Sequence, residues 1–318
     1  HVFDFDQMLN LSKKLREKLK EVACIEFPKV VIKNHALDGV IKWVIETGSE
    51  NHVEMVYIPE KDRGTLCISS QVGCALACTF CSTGYQGFNR NLSTAEIIAQ
   101  VLIANLHLNP AGKRISNVVF MGMGEPLLNE EAVYSACDLL LDDLSFGLSR
   151  RRVTISSSGV VPALERMSER VPVSLAISLH AANDTLRDEL VPINKKYPIE
   201  TLMKACDVYL NAGTQERHIL FEYVMLKGVN DSSEHAKQLS KLLKGVSAKV
   251  NLIPFNPFPQ SDYETSSVRT IESFQNILFS NGIRTMTRRT RGEDVDAACG
   301  QLAGKVKDKT KRADARRN

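Results

Sequence analysis

From Thr65 onward, apolar and β-branched runs recur at 66–69, 115–121, 152–157, 173–179, 219–226 and 250–254. Runs this short, with little polar alternation, suit strands covered on both faces. Helix-period segments lie between them. One opens with Ser93-Thr-Ala-Glu96, the pattern of a capping box, and others cover 130–144, 161–168, 199–211 and 233–243. Alternation over six units predicts an α/β fold with a parallel sheet. Six units favour a partial (β/α)6 TIM-like barrel over a full eight-unit one; a doubly wound open sheet is the competitor that periodicity does not separate. Ahead of this pattern, strands at 29–33 and 40–46 follow a short helix, which predicts a short N-terminal α/β extension.

The unusual residues cluster where predicted strands end. A cysteine loop follows the first strand, and Gly122-Met-Gly-Glu-Pro126 follows the second. Ser156-Ser-Ser-Gly159 ends the third, Ser178-Leu-His180 ends the fourth, and Asn256-Pro257 follows the sixth. Parallel barrels assemble their active sites at the carboxyl ends of their strands, so one shared pocket is expected.

Composition adds limits. With 43% apolar and 24% charged residues in 318, the chain has material for a large core, and no apolar stretch approaches a membrane span. Position 1 is His and opens a charged, helix-like segment, which reads as an excerpt or processed form. The net charge is only +3, but from Arg284 to the end eleven Lys/Arg face five Asp/Glu. The basic tail at 305–312 and Arg316-Arg317 reads either as a phosphate-contacting surface or as a solvated terminus.

Of the eight cysteines, four fall within fifteen residues, at 67, 74, 78 and 81. That clustering points to metal or redox chemistry in a reducing, cytoplasmic compartment. Cys24, Cys137 and Cys206 sit among helix-like apolar residues and read as buried packing thiols. Cys74-Ala-Leu-Ala-Cys78-Thr-Phe-Cys81 has the spacing C-x3-C-x2-C. Three thiolates in a tight loop can hold three irons of a [4Fe-4S] cubane and leave the fourth open to chelate S-adenosylmethionine. A zinc site with Cys67 as fourth ligand is the alternative, but structural zinc favours two separated pairs and no second pair is present. The glycines of Gly122-Met-Gly124 allow close backbone approach to a ligand, and Glu125 can accept hydrogen bonds from an ammonium group.

With these motifs in hand, the sequence resembles the radical S-adenosylmethionine RNA adenine methyltransferases, the RlmN/Cfr family. The resemblance runs from about Val53 to Arg312. It is carried by Val56-Tyr-Ile-Pro-Glu60, Ser69-Ser-Gln-Val-Gly-Cys74, Gly87-Phe-Asn-Arg-Asn91, Gly122 to Asn129, Pro192-Ile-Asn-Lys-Lys196, and most specifically Asp296-Ala-Ala-Cys-Gly-Gln-Leu302 behind Arg291-Gly-Glu-Asp294. It implies a barrel core over 53–295, an N-terminal extension over 1–52 left from an accessory RNA-binding domain, and a catalytic-cysteine segment with the basic tail over 296–318.

The resemblance also implies one [4Fe-4S] cluster on Cys74, Cys78 and Cys81, and S-adenosyl-L-methionine used twice per turnover. The cofactor contacts would be Gly124, Glu125, Ser156, Ser178, Leu179, His180 and Asn256. Cys299 would carry a methyl group and then a covalent RNA adduct, Glu54 would accept the proton from carbon 2 of adenine, and Cys67 would release the product through a transient disulfide. Taken alone, Cys299 and Cys67 could be packing thiols and Glu54 a surface carboxylate. Implied partners are 23S rRNA and tRNA, and a low-potential electron donor such as flavodoxin, with the enzyme a cytoplasmic monomer away from membranes. Methylation at carbon 8 of the same adenosine is the nearest alternative activity. A metal-stabilised RNA-binding protein without catalysis is the alternative of another class.

Overall fold

The computed structural model describes residues 2–48, 50–212 and 217–310. Its strands are β1 (Val30–His35), β2 (Ile41–Glu46), β3 (His52–Pro59), β4 (Gly64–Cys67), β5 (Gln71–Gly73), β6 (Phe88–Asn91), β7 (Asn117–Phe120), β8 (Val153–Ser157), β9 (Ser174–Ser178), β10 (Ile219–Met225), β11 (Ala248–Pro254) and β12 (Arg284–Thr287). All six expected parallel strands are present. So is the capping box: the Ser93 hydroxyl accepts from the Glu96 N–H, and the Glu96 carboxylate accepts from the Ser93 N–H at 2.9 Å.

Ten strands form one sheet in the order β1-β2-β3-β4-β7-β8-β9-β10-β11-β12. β1 to β4 are antiparallel neighbours, and every pairing from β4 to β12 is parallel. Each new strand adds on the same side as the last. A doubly wound sheet needs a reversal of that order, so the barrel-type reading holds and its competitor falls. The N-terminal strands are continuous with the same sheet.

The structure adds a seventh parallel strand, β12, preceded by the Val268–Ser280 helix. Only Thr285 of β12 is buried, so the strand carries no apolar run to read. The β5–β6 ribbon was also unforeseen, because its strands are only three and four residues long and carry one apolar residue each, Val72 and Phe88. Cys137 and Cys206 are buried as expected, but Cys24 is exposed. The Lys13–Val22 helix ends before it and buries none of its own residues.

The described part of the basic tail is not a free solvated terminus. Residues 303–310 are strapped to the protein: the Lys305 carbonyl accepts from the His52 N–H at 2.8 Å, the Lys309 N–H donates to the Phe88 carbonyl at 2.9 Å, and Lys307 pairs with Glu50. Lys311, Arg312, Arg316 and Arg317 lie outside the described residues. Among the described residues no helix is long and apolar enough to cross a membrane.

Candidate active site

The segment between β4 and β5 is fixed before the cysteine loop begins. Gln100, fully buried on the Thr94–Leu108 helix, accepts from the Ser69 N–H and donates to the Ser69 carbonyl, both at 2.8 Å. Asn129 donates to the Ser70 and Leu92 carbonyls. A buried amide is retained only when its donors and acceptors are met, so these side chains act as rigid stitches at the strand end. The loop then turns through Ala77 at φ +59, a left-handed conformation costly for a residue with a Cβ, and enters the short Ser82–Tyr85 helix.

Cys74, Cys78 and Cys81 line a single cavity together with Phe80, Gly124 and Glu125. Burial pushes the Cys78 thiol up to about 12 and raises Cys74 and Cys81 as well. Left to themselves the three would be neutral thiols, and positively charged irons are what would make them thiolates. Among the described residues no three His, Cys, Asp or Glu side chains converge on one ion centre. Three thiols around one shared cavity suit a cubane, whose irons each take a different thiolate.

The opposite wall of this cavity comes from the ends of β8 and β9, with Ser156, Ser178 and His180 lining it. Gly124 adopts φ +98, and a Cβ there would meet the Gln71 Cβ at 2.5 Å. Glu125 is buried and already anchored, accepting from Leu127 N–H at 3.0 Å and Ser158 N–H at 2.8 Å. Burial raises its carboxyl above the usual range, and those backbone donors hold the rise back. His180 sits at φ +60, its ring edge-on to Phe80, and its Nδ1 accepts from the Val224 N–H at 3.0 Å. The ring proton therefore belongs on Nε2. Burial, reinforced by Arg187, depresses the imidazole to about 3, so it stays neutral.

A second cavity adjoins the first, and six residues belong to the walls of both: Met121, Glu222, Ile253, Arg288, Cys299 and Gly300. Cys67 lines only the second. Burial raises the Cys67 thiol to about 12, and it raises Cys299 while Arg288 opposes it. All eight cysteines are free thiols, so no standing disulfide joins Cys67 to Cys299. Around the second cavity lie Lys61, Arg63, Arg288, Arg289 and Arg291 against Glu60 and Glu222. Arg63 is paired with Glu60 and Arg291 with Asp38, whereas Lys61, Arg288 and Arg289 form no ion pair among the described residues.

Three expected site residues fall elsewhere. Leu179 packs in the core and meets the site only through its backbone. Asn256 lines the second cavity and donates to the Cys299 carbonyl at 3.0 Å. Glu54 lines neither cavity; it is buried beside Lys42, and burial raises its carboxyl. Sequence reasoning missed Glu222, Arg288 and Arg187. Glu222 was the readable one, a carboxylate in the middle of the apolar strand β10, with Oε2 accepting from Asn251 at 2.8 Å and Oε1 buried without a partner.

Comparison with known proteins agrees with this geometry. The model of the radical SAM superfamily matches residues 68–239, and that of the ribosomal RNA large subunit methyltransferase N-terminal domain matches residues 1–25. The chain is 74% identical over 318 residues, all of its length and 89% of the relative's, to the dual-specificity RNA methyltransferase RlmN of Vesicomyosocius okutanii subsp. Calyptogena okutanii (strain HA). The same identity and coverage hold for the protein of that name from Ruthia magnifica subsp. Calyptogena magnifica. The crystal structure of a radical SAM methyltransferase from Sphaerobacter thermophilus superposes with a TM-score of 0.89 at 42% identity, covering 95% of this chain and 88% of that one.

Proposed function

The chain belongs to the RlmN methyltransferases of the radical SAM superfamily, and from that membership we propose that it methylates carbon 2 of adenosine in 23S rRNA and tRNA through Cys299. The observation that carries this reading is the place of Cys299 in the wall between two cavities. A residue that receives a methyl group from one compound and passes its carbon to another must face both. The thiol-lined cavity suits the cluster and S-adenosylmethionine, and the second, with three unpaired cations at its wall, suits an RNA nucleotide.

Cys74, Cys78 and Cys81 would hold the cluster, which would supply the electron for cleaving S-adenosylmethionine to a 5′-deoxyadenosyl radical. The protein's own residues do the rest. Carbon 2 lies between two ring nitrogens and is too electron-poor to attack a methyl sulfonium directly. Cys299 is the better nucleophile: its sulfur takes the methyl by displacement once its proton is gone, and Arg288 favours the thiolate against burial. After hydrogen abstraction the methyl carbon joins carbon 2, so RNA is held on Cys299. Once carbon 2 has lost its proton and the adduct has returned its unpaired electron to the electron-transfer partner, the Cys67 thiolate attacks the Cys299 sulfur; the sulfur–carbon bond breaks, a disulfide forms, the freed carbon takes up a proton to complete the methyl group, and methylated RNA leaves. Glu222 lines both chambers and Glu125 the first, whereas Glu54 is buried beside Lys42 outside them. A low-potential donor such as flavodoxin supplies electrons, and the enzyme works as a cytoplasmic monomer.

The test is a denaturing gel with labelled RNA. Cys299→Ala is expected to give neither methyl on the protein nor RNA product. Cys67→Ala is expected to stall with RNA covalently attached. Release of methylated RNA by Cys67→Ala at the normal rate, or an adduct mapping away from Cys299, overturns the reading.

A further inference from the structure

Glu54 and Lys42 stand on neighbouring antiparallel strands, where Glu54 faces Val44 and Lys42 faces Val56. Both side chains are more than nine-tenths buried, and Lys42 Nζ lies 3.6 Å from Glu54 Oε1. Each then reaches a different end of the segment that carries Cys299. Lys42 Nζ donates to the Asp296 carbonyl at 3.2 Å, and Glu54 Oε2 accepts from the Ala303 N–H at 3.2 Å. Between these points the chain passes left-handed residues at Asp296 (φ +50) and Gly300 (φ +84), so it returns on itself as a compact loop.

We propose that the Lys42–Glu54 pair is a two-armed clamp that positions Cys299, gripping its loop at Asp296 and Ala303. A buried ion pair is a weak source of net stability, because desolvation offsets most of the attraction. Its value here is geometric: two charged arms on a rigid sheet fix both ends of an eight-residue segment whose middle must meet two ligands. Further bonds hold the interior of the loop: Asn256 donates to the Cys299 carbonyl and Gln301 Nε2 to the Pro257 carbonyl, both at 3.0 Å, and the Ser82 N–H donates to the Gly300 carbonyl and the Thr83 hydroxyl to the Leu302 carbonyl, both at 2.7 Å. Glu54 is thereby a positioning residue for the first methyl transfer, a step that precedes the proton removal the family resemblance implies for it.

The inference rests on Cys299 being the methyl acceptor, and the experiment separates the two ideas. Labelled methyl transfer from S-adenosylmethionine to Cys299 is measured by peptide mass spectrometry on the reconstituted enzyme. Reductive cleavage of S-adenosylmethionine and iron content are followed beside it. The variants are Lys42→Met, Lys42→Arg, Glu54→Gln and Ala303→Pro; the last removes one arm's bond while leaving the ion pair intact. Lys42→Met and Ala303→Pro are expected to slow methylation of Cys299 tenfold or more, with iron content and cofactor cleavage unchanged. Lys42→Arg and Glu54→Gln, which keep a donor and an acceptor, are expected to recover much of it. Wild-type methylation rates in both Lys42→Met and Ala303→Pro overturn the clamp. A wild-type enzyme that places no methyl on Cys299 overturns the reading beneath it.

Discussion

Arg187 gives the sharpest quantitative expectation. Its guanidinium is fully buried at the start of the chain's return from the cofactor wall, with no ion pair among the described residues. It donates to the Ser158 carbonyl at 2.8 Å, the Ser178 carbonyl at 3.2 Å, the Leu179 carbonyl at 3.1 Å and Asn194 Oδ1 at 2.7 Å. Those carbonyls belong to the strand ends that form the cavity wall. Arg187→Met leaves three buried acceptors bare, at roughly 1–3 kcal/mol each, while the Leu179 carbonyl keeps its bond from the Ala181 N–H. Removing the charge returns part of that, since burial depresses the guanidinium to about 10, a cost of roughly 3 kcal/mol. By mid-range values the fold loses about 3 kcal/mol. Arg187→Lys keeps the charge but not the planar fork, and about half that loss is expected. Every 1.4 kcal/mol that reaches the wall weakens S-adenosylmethionine about tenfold. Urea unfolding and equilibrium dialysis of S-adenosylmethionine against the cluster-loaded enzyme measure the two effects. Wild-type unfolding midpoints and affinity in both variants would refute the bracing role.

Three further expectations follow from the same geometry. Replacing any one of Cys74, Cys78 or Cys81 by Ala is expected to abolish iron and sulfide content together with 5′-deoxyadenosine formation; a variant that still cleaves the cofactor contradicts the cluster assignment. His180 is neutral down to about 3 in the fold but takes a proton near 6.5 when unfolded. Between those values the unfolded chain binds the extra proton, so stability falls as pH drops, by about 1.4 kcal/mol per pH unit. His180→Asn, which tolerates the left-handed backbone, is expected to flatten that slope by about one proton in urea titrations; an unchanged slope is the contrary result. Lys61→Ala and Arg289→Ala are each expected to lower the log–log salt dependence of RNA binding by about 0.7–0.9, and an unaltered slope would place the RNA elsewhere.

Much of this was legible in the chain. The six apolar runs mark six parallel strands to within a few residues, because strands buried on both faces must be continuously apolar. The cysteine loop, the Gly122–Glu125 turn and the serines at 156 and 178 do meet in one cavity. What stayed hidden depends on pairing between distant segments. β12 has a single buried residue and exists because β11 offers it an edge. Nothing in the sequence singles out Lys42, and only the arrival of residues 296–303 over the sheet shows why it is buried. Glu222 and Arg288 likewise come together only when β10 and the end of β12 meet Cys299. The basic tail showed its charge but not its order, because charge alone does not register the backbone bonds that strap residues 303–310 down.

The most direct test of the central claim is the position of the new methyl group. Reconstituted enzyme is incubated with 23S rRNA fragments or tRNA, a one-electron reductant and methyl-labelled S-adenosylmethionine, and the digested nucleosides are resolved by mass spectrometry. Label in 2-methyladenosine is the expected result. Label at carbon 8, or RNA left without label while the cofactor is consumed, would contradict it.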